Sequence, residues 1–591
     1  MSPMNVDWVH PGFVLILGAW LVPFVTGATK RWFLVGLPAA ALVDCMLMAP
    51  GTYGVMRFLG QEVVFGRVDP LSLVFCYVFA LMALVGMIYA LHVEDDAQHM
   101  AALTYAGSAL GATLAGDFLS LFLFWELMAV SAALIIWLRR KPEAVAAGFR
   151  YLLVHVFGGL CLLGGIVLHW SQTGSLAFSD MSPHAGSAAF TLILIAFLLN
   201  AAVPPLGAWL PDAYPEATVT GAVFLTAFTT KSAVYTLIRG FAGTEVLMWW
   251  GAGMAVYGVV YAVLENDARR LLAYHIVSQV GYMVCGVGIG TALALNGTSA
   301  HAFAHILYKA VLFMGAGAVL QMTGLRKLSD MGGLYKTMPI TLGLYMVGAF
   351  AISAVPLFSG FVSKSMVVSA AGESHHAGIF LLLTLASAGT FLHTGLKLPW
   401  YMFFGEDRGL KAPKGKEPPK NMLVAMGIAA AACVLIGVFP SLLYRHLPFA
   451  ADYIPYTPRH VVATLGLLGF TALGFFLLLK QLDPEPTVSL DTDWFYRRGL
   501  TATLPLVEGA LARVDGVVAQ ASDWVVQQAL AMGEWLRDLD ARVVDRSTVG
   551  LGKLTLAFGQ GLRLVADGNA QHYGLIMAAG ALAALAIVIF G

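Results

Sequence analysis

Long apolar runs recur along this chain from end to end. Each run is about 20 residues long, the length that an α-helix needs to cross the hydrocarbon core of a bilayer. The chain of 591 residues is 59% hydrophobic and 12% charged, which is more apolar surface than a soluble protein of this size can bury. The pattern predicts an all-α polytopic membrane protein with about sixteen transmembrane helices. The predicted spans lie near 11–28, 33–50, 71–92, 101–116, 118–138, 150–170, 189–208, 220–239, 246–264, 271–290, 300–322, 338–370, 376–403, 421–440, 460–480 and 572–590.

Charge and cysteine usage exclude several classes of function. The formal net charge is zero, which gives no electrostatic preference for nucleic acid. The five cysteines are scattered singly through apolar segments without a CxxC or Cys/His cluster, so neither an iron–sulfur nor a zinc site is expected. The chain also lacks a nucleotide-binding loop of the Walker type. We therefore expect no cofactor, no metal site and no redox or hydrolytic centre within this chain.

Lysine and arginine are concentrated in alternate loops between the predicted spans. The positive-inside rule places such loops on the cytoplasmic side of the cell inner (plasma) membrane. With an even number of spans, both termini then lie on the outer side. The loop at 51–69, which carries Arg57 and Arg67, is a mild exception. The basic loops contain Lys30 and Arg31; Arg139, Arg140 and Lys141; Arg269 and Arg270; Arg326, Lys327 and Lys336; and the run from Arg408 to Lys420.

Two spans contain proline in similar local contexts, AAVPPLGAW at 201–209 and SAVPLFSGF at 353–361. Proline removes a backbone donor and interrupts a helix. Within a membrane, an interrupted helix is tolerated where the freed backbone groups face protein or water. Such a pair in corresponding places suggests a transporter built from two repeats. The alternative is that both are ordinary proline kinks.

Several ionisable side chains lie deep inside apolar runs. Each costs roughly 2.5–3.5 kcal/mol at the bilayer centre on insertion scales, so it is retained when it pairs, contacts water or moves ions. Lys397, near the end of its span, has the alternative of extending to the membrane interface. His155 in YLLVHVFGG is interpreted as a packing residue. The candidates for a functional role are Glu126, Lys231, His301, His305, Lys309, Lys364 and Lys397.

Three of these candidates share one helix face in HAFAHILYKAVLFMGAG at 301–317. His301, His305 and Lys309 are spaced i, i+4 and i+8, which aligns them over about 12 Å of helix. Histidine titrates near neutrality, and a desolvated lysine releases its proton more readily than one in water. With bridging waters, such a row is a proton path, and Glu126 can supply the negative charge that holds a lysine protonated.

These residues lie in motifs that resemble a known family. The chain is similar to the antiporter-like membrane subunits shared by Mrp-type multisubunit Na+/H+ antiporters and respiratory complex I, whose corresponding subunits pump protons. The block from Trp209 to Arg239 is most similar to the D-type Mrp subunits. The matching motifs are FLFWELM at 122–128, AWLPDAYPEA at 208–217, FTTKSAVYTLIRG at 228–240, RRLLAYHIVSQVGYM at 269–283, HAFAHILYKAVLFMGAG at 301–317 and PLFSGFVSK at 356–364.

The resemblance implies two inverted five-helix repeats, each with a broken helix, and a proton path along the membrane midplane. It implies that Glu126 is the glutamate that biases a lysine, and that Lys309 and His305 form the central relay with His301 beside them. It also implies that Lys364 is the terminal lysine on the second broken helix. Lys231 matches a lysine that Mrp-like members carry after the first break. Accessory candidates are Asn200, His275, Lys397 and Asp212.

One departure from the family pattern concerns the first break. The resemblance implies a lysine just before it, in a pattern like KAAxxPLHxWLP, whereas this chain reads NAAVPPLGAWLP with Asn200 and Gly207. The expected glutamate–lysine pair therefore lacks its lysine. We hypothesise that Lys231 replaces it as the partner of Glu126; the alternative is that the first half-channel is disabled.

The C-terminal part changes character after residue 484. Apolar residues recur every three or four positions from about 506 to 546, which predicts an amphipathic helix along a membrane face, along sister subunits, or in a cytoplasmic hairpin. The largest complex I subunit of this type is similar, with a lateral helix followed by a final span. The predicted segments are N-terminal helices at 1–100, a first repeat at 101–240, a second repeat at 246–404, additional helices at 421–480, the amphipathic segment at 484–568 and a last span at 572–590.

The leading hypothesis is a proton- and cation-translocating subunit of a multisubunit Na+(K+)/H+ antiporter. Its expected partners are other membrane subunits, H+, Na+ or K+, and lipids, with no nucleic acid. The first alternative is a proton-pumping subunit of a quinone- or hydrogen-linked oxidoreductase. The second is an energy-coupling subunit for inorganic carbon uptake, and the third is a scaffold whose channel has decayed.

Overall fold

Helices make up nearly all of the regular structure in the computed structural model of the chain. The structure describes residues 8–58, 60–406, 416–485, 491–565 and 568–590. Part of the basic run from Arg408 to Lys420 therefore lies outside the described residues. The chain divides into two units, the first ending at Trp494 and the second beginning at Phe495.

The first unit contains the helices that carry the candidate residues. Its N-terminal helices are α1 (Pro11–Leu21), α2 (Gly27–Leu47), α3 (Pro70–Ala90), α4 (Asp96–Leu114), α5 (Phe118–Trp137), α6 (Pro142–Thr173), α7 (Ala188–Asn200), α8 (Trp209–Ala213), α9 (Val219–Ala227) and α10 (Thr229–Phe241). They are followed by α11 (Glu245–Leu264), α12 (Ala268–Ile289), α13 (Ala292–Thr323), α14 (Pro339–Ile352), α15 (Ser359–Glu373), α16 (Ala377–Thr390), α17 (Lys420–Val438), α18 (Ser441–Tyr444) and α19 (Pro458–Leu477).

Eleven of the described helical segments are long and apolar enough to cross a membrane, and three shorter apolar helices accompany them. This confirms the prediction of an all-α polytopic membrane protein. The exact number of spans stays a prediction. The predicted spans at 101–116 and 118–138 fold as two separate helices, because Asp117 accepts hydrogen bonds from Leu119 N at 2.8 Å and Ser120 N at 2.9 Å and so starts α5.

Both proline-containing segments interrupt their helices, and they do so with the same backbone geometry. Ala202 and Ala354 have φ angles of 57° and 56° in the left-handed region. The next amide in each case reaches five residues back, Val203 N to Leu198 O at 3.0 Å and Val355 N to Phe350 O at 3.1 Å. Since the following residues are prolines without N–H groups, the helix cannot continue.

A second correspondence links the starts of α5 and α12. Asp117 and Asp267 each cap a helix, and each also pairs as an isolated β-bridge with a later loop residue, Ala177 and Lys327 respectively. Together with the matching breaks, these bridges support two structural repeats. The repeat boundaries and their inverted arrangement stay predictions.

Residues 51–68 were expected to be a loop but form a β-hairpin. Strands β1 (Gly51–Phe58) and β2 (Gln61–Val68) pair antiparallel, with Gly51 opposite Val68 and Phe58 opposite Gln61. The alternation of apolar and polar residues is weak in GTYGVMRF, so periodicity carried little signal for a strand.

The described part of the second unit is helical except at Gly568 and Asn569. Helix α20 (Asp493–Leu539) is followed by a π-helical turn (Asp540–Asp545), α21 (Arg546–Val565) and α22 (Ala570–Phe590). Helix α20 includes most of the segment predicted to be amphipathic, and its described apolar side chains, such as Leu511, Val518 and Val525, are exposed. Helix α22 coincides with the predicted last span.

Candidate functional site

Helix α13 carries the three aligned titratable side chains through the interior of the first unit. His301, His305 and Lys309 are each 0% exposed. They are buried because α13 packs against α12, α15 and α17. Lys309 is therefore fully enclosed at mid-helix and does not extend to the membrane surface.

Lys309 has a direct partner on the neighbouring helix α12. Its Nζ lies 3.2 Å from Nδ1 of His275. The other ring nitrogen of His275 lies 3.3 Å from Thr390 Oγ1, which also accepts from Gln279 Nε2 at 3.3 Å. His275, an accessory candidate in the sequence, therefore lies at the centre of the buried titratable groups.

His393 lies beside His275 and was not among the candidates predicted from the sequence. Its ring lies 4.8 Å from that of His275, and its Nδ1 is 2.6 Å from Thr394 Oγ1. His393 lies in a π-helical segment, Phe391–Lys397, that follows α16. The wider π-helical turn shifts the side chains relative to an α-helical register, so α-helical spacing did not place His393 beside His275.

Lys397 is the last residue of the same π-helical segment. Its Nζ donates to Val263 O at 2.5 Å and to Glu265 O at 3.3 Å. The Glu265 carboxylate lies 3.3 Å from Arg270 Nε, and both residues line a vestibule of about 610 Å³. Lys397 thus stands between the buried histidines and this polar vestibule.

The vestibule contains several ion pairs. Asp212 binds Arg150 through two hydrogen bonds of 2.7 and 2.9 Å, so this accessory candidate lies at the vestibule and away from the buried relay. Glu216 pairs with Arg139 at 2.7 Å and with Arg326 at 2.8 Å. The loops that carry these residues therefore meet at one end of the helices.

In the other direction, α13 contacts the second broken helix. His301 Nδ1 lies 3.3 Å from Ser363 Oγ, next to Lys364. Lys364 Nζ donates to Ile352 O at 3.0 Å, a carbonyl at the end of α14 that the break leaves without a helical partner, and to Ser387 Oγ at 3.4 Å. Lys364 also lines a cleft of about 270 Å³ that it shares with His460.

His305 lies between these two groups along α13. Neither of its ring nitrogens has a hydrogen-bond partner among the described residues. Its ring centroid is 6.1 Å from that of His301 and 5.3 Å from that of Tyr308. A buried imidazole with two open nitrogens can accept or donate a proton in either direction.

Lys231 belongs to the first half of the chain. It is fully buried, and its Nζ donates to Thr226 O at 2.7 Å. This carbonyl is open because the helix is interrupted at Phe228, between α9 and α10.

Glu126 and Lys231 form no ion pair in the described part of the chain, so the hypothesised direct partnership is not made in this conformation. Glu126 is half-buried, and its Oε1 is buried without a hydrogen-bond partner among the described residues. Asn200 is buried, and neither its Oδ1 nor its Nδ2 has a partner there. The first half thus lacks the close pairing seen between Lys309 and His275.

The part of the chain that carries these groups matches a known protein family. The family model described as NADH:quinone oxidoreductase/Mrp antiporter, TM, matches residues 115–391. The D component of the Na(+)/H(+) antiporter of Alkalihalophilus pseudofirmus is 31% identical over 364 residues, which is 58% of this chain and 73% of that protein. Hydrogenase-4 component B of Escherichia coli is 28% identical over 451 residues, which is 67% of this chain and 66% of that protein.

A solved structure supports the same fold. One chain of the membrane-bound sulfane sulfur reductase, an archaeal respiratory membrane complex, aligns with a TM-score of 0.69 at 22% identity and covers 98% of this chain and 99% of that one. The matched family region contains all the buried relay residues except those after residue 391. This chain therefore belongs to the NADH:quinone oxidoreductase/Mrp antiporter family of multi-pass membrane subunits.

Proposed function

We propose that this chain moves protons through its buried side chains as a subunit of a multisubunit Na+(K+)/H+ antiporter. The observation that carries the proposal is the contact of Lys309 Nζ with His275 Nδ1 at 3.2 Å. A lysine and a histidine at this distance, both enclosed in protein, can exchange a proton directly. The similarity to the D component of a Na(+)/H(+) antiporter supports the assignment to this class of complex.

The proton path runs along a series of titratable groups. It begins at Lys364, continues through His301, His305 and Lys309, and reaches His275, His393 and Lys397 at the vestibule. Lys309 and His275 are within hydrogen-bond distance, and we propose that water bridges the other steps. Lys231 biases the centre of the path through its charge. In an antiporter, the gradient of one ion supplies the energy for directional transport of the other.

The vestibule is the proposed opening to one side of the membrane. Its wall mixes acidic and basic groups, including Glu143, Asp212, Glu265 and Arg270, and it is polar enough to hold water and a hydrated cation. Arg139, Arg269 and Arg326 come from three basic loops that meet around residues 214–218 at this end. By the positive-inside rule this end faces the cytoplasm, which leaves both termini on the outer side of the inner membrane.

The proposed partners are other membrane subunits, together with surrounding lipids. The relatives are subunits of multisubunit membrane complexes. The half-buried Glu126 gives a physical reason for a partner here, since a carboxylate partly exposed at mid-span is costly against lipid and is better accommodated by a neighbouring protein surface. We assign 101–240 and 246–404 as the two repeats that such partners flank.

Transport by the intact complex tests the proposal. Inside-out membrane vesicles that contain the complex are energised, and the collapse of the pH gradient on addition of Na+ or K+ is followed with a fluorescent dye. We expect Lys309→Ala to slow this exchange about 100-fold, in line with the loss of a proton-transfer group. Lys336→Ala, which removes an exposed loop lysine, is the matched control and retains exchange. Normal exchange by Lys309→Ala refutes the proposal.

The similarity to hydrogenase-4 component B favours a second candidate, a proton-pumping subunit of a redox-driven complex. The same buried path serves either function, because the electron carriers of such a complex would belong to other chains. Purification of the native complex separates the two candidates. Small hydrophobic partners support the antiporter, whereas co-purifying iron–sulfur or flavin proteins support the redox-driven pump. A zinc-containing soluble partner instead supports inorganic carbon uptake.

A further inference from the structure

The first half of the chain raises a question that the proposed function leaves open, and the inference drawn here rests on that function. Glu126 has neither the family's lysine, replaced by Asn200, nor Lys231 as a direct partner. A carboxylate that takes part in proton transfer needs a group to exchange the proton with. The contacts of Glu126 with helix α6 point to one.

Glu126 lies in a recess that Gly159 creates on α6. A Cβ atom at Gly159 would lie 2.1 Å from Glu126 Oε1, 2.8 Å from Cδ and 3.1 Å from Oε2. All three of its nearest neighbours thus belong to one carboxylate, and none belongs to backbone. The absence of a side chain at residue 159 is therefore what allows the carboxylate to lie against α6.

The recess lies on the buried stripe of α6, the face that carries Tyr151, His155, Gly159 and Leu162. His155 precedes Gly159 by four residues, so the two positions are adjacent on this face, one turn apart. His155 is 2% exposed. The residue that seats the carboxylate and the residue that carries the imidazole are thus neighbours on one helix face.

The hydrogen bonds of His155 decide which of its nitrogens is basic. Nδ1 lies 2.8 Å from Tyr151 O, and since a carbonyl only accepts, Nδ1 carries the hydrogen. Nε2 then has the free lone pair, and it has no hydrogen-bond partner among the described residues. Oε1 of Glu126 likewise has no hydrogen-bond partner among the described residues. Nε2 of His155, a proton acceptor, and Oε1 of Glu126 are thus both without partners. The residue that carries Nε2 and the glycine that seats Oε1 are one helical turn apart on α6.

Two aromatic rings enclose the imidazole of His155. Tyr151 stacks on the imidazole with centroids 3.8 Å apart at 20°, and Trp209 lies 4.6 Å away at 79°. Aromatic rings attract cations, and His155 keeps its hydrogen bond to the Tyr151 carbonyl when it is protonated. Burial opposes a lone imidazolium at this place, so protonation of His155 requires the negative charge that Glu126 acquires when it gives up its proton.

We propose that Gly159 is a positioning residue that seats Glu126 on the buried stripe of α6, and that Nε2 of His155 exchanges the proton with it. The proton leaves the carboxyl group of Glu126, passes through a bridging water and binds Nε2 of His155. Glu126 becomes a carboxylate and His155 an imidazolium, and the reverse transfer restores both. His155 thereby performs in this chain the role that the family pattern gives to a lysine at the position of Asn200.

Substitutions in the full complex, assayed as ion-driven proton exchange in vesicles, test the proposal. We expect Gly159→Ala to displace the carboxylate and slow exchange about tenfold or more, as a misplaced reacting group does. Gly164→Ala is the matched control, because a Cβ there has only Leu192 Cδ1 at 3.8 Å, and it retains exchange. Equal rates for the two variants overturn the role of Gly159.

A shorter acidic side chain separates positioning from general damage to the helix. In the Gly159→Ala background, Glu126→Asp withdraws the carboxylate by one methylene, and we expect the double variant to regain exchange up to the level of Glu126→Asp alone. Failure to regain it overturns the positioning role. If Gly159→Ala alone does not accumulate in the membrane, the exchange rate of the double variant is still compared with that of Glu126→Asp. That comparison then decides whether Gly159 positions the carboxylate.

The role of His155 is tested with His155→Gln, which keeps a polar side chain but cannot carry the proton. We expect the exchange rate to fall at least about tenfold. We expect no further fall when Gly159→Ala is added, because both substitutions block the same proton-transfer step. Wild-type exchange by His155→Gln, or fully additive losses, overturns the exchange with Glu126. If Glu126→Gln itself exchanges normally, Glu126 takes no part in proton transfer and this inference fails, whereas the path through Lys309 and His275 still stands.

Discussion

Lys309 and His275 contact each other across two helices, with Nζ 3.2 Å from Nδ1. Helix α13 supplies the lysine and α12 the histidine, and both side chains are fully buried. When Lys309 is protonated it donates to Nδ1, and when it has given up its proton a protonated His275 donates to Nζ. The pair therefore has two favourable hydrogen-bonded states that differ by the position of one proton.

His275→Ala is expected to slow proton exchange about 100-fold, close to the effect of Lys309→Ala, because it removes the partner that takes the proton. Dye-reported exchange in vesicles measures the rate. His375→Asn is the control, since this histidine is exposed, and asparagine tolerates its positive φ of 61°. A His275→Ala variant that exchanges as fast as His375→Asn contradicts the relay.

Lys231→Ala is expected to lower exchange at least about tenfold, because it removes a buried ammonium group whose charge we propose biases the centre of the path. Lys231→Arg is expected to restore little, since the guanidinium is larger and does not release its proton. The rate is measured in the same vesicle assay, with Lys336→Ala as the control. Unchanged exchange in Lys231→Ala shows that this charge is not part of the path.

Arg269→Ala is expected to destabilise the first unit by roughly 3 kcal/mol. Arg269 is buried, and its guanidinium donates to Tyr214 O, Ala217 O and Thr218 O at 3.2 to 3.3 Å. Its removal leaves buried carbonyls without donors, which costs about 1–3 kcal/mol for each strongly affected group. Thermal unfolding of the detergent-purified complex reports the loss. Arg269→Lys should recover only part of it, because an ammonium cannot reach three carbonyls as a planar fork does.

Asp491→Asn is expected to loosen the segment that precedes α20. The Asp491 carboxylate accepts from Tyr257 Oη through one oxygen and from Tyr274 Oη, at 2.7 Å, through the other. An amide presents one oxygen and a nitrogen donor, so one of the two bonds is lost, at about 1.5–3 kcal/mol. Limited proteolysis around residues 491–494 should become roughly tenfold faster. Glu485→Gln, at an exposed position, is the control and leaves the cleavage rate unchanged.

Membrane orientation is tested with single cysteines. In a background with Cys161→Ser, which removes the only half-exposed native thiol among the described residues, a membrane-impermeant maleimide is applied to intact cells. We expect Lys141→Cys to react only after the cells are opened, and Ser182→Cys to react in intact cells, because the first lies in a basic loop and the second in a loop without lysine or arginine. The opposite pattern reverses the proposed orientation.

The residues on α13 were predictable because titratable side chains in an apolar run are costly and therefore conspicuous. The two helix breaks were predictable for a similar local reason, since proline cannot donate the next hydrogen bond. Asp117 likewise marked a helix start between two apolar stretches. In each case one residue type at one place carries the signal.

What the sequence concealed depends on contacts between distant segments. His275 and His393 meet only because α12 packs beside a π-helical segment, whose register differs from that of an α-helix. Gly159 is one of many glycines, and only the position of the Glu126 carboxylate distinguishes it. The expected partnership of Glu126 and Lys231 was reasoned from residue types, whereas the interrupted helix at Phe228 turns Lys231 toward the Thr226 carbonyl.

The two arginines on Glu216 constrain the kind of motion that this chain can use. Arg139 lies in the first predicted repeat and Arg326 in the second, so one carboxylate joins the repeats at the vestibule end. Rocking of one repeat against the other would have to separate these charges in a partly dry environment. The machinery is therefore better suited to a rigid frame in which protons and water rearrange than to a carrier that tilts its halves in turn.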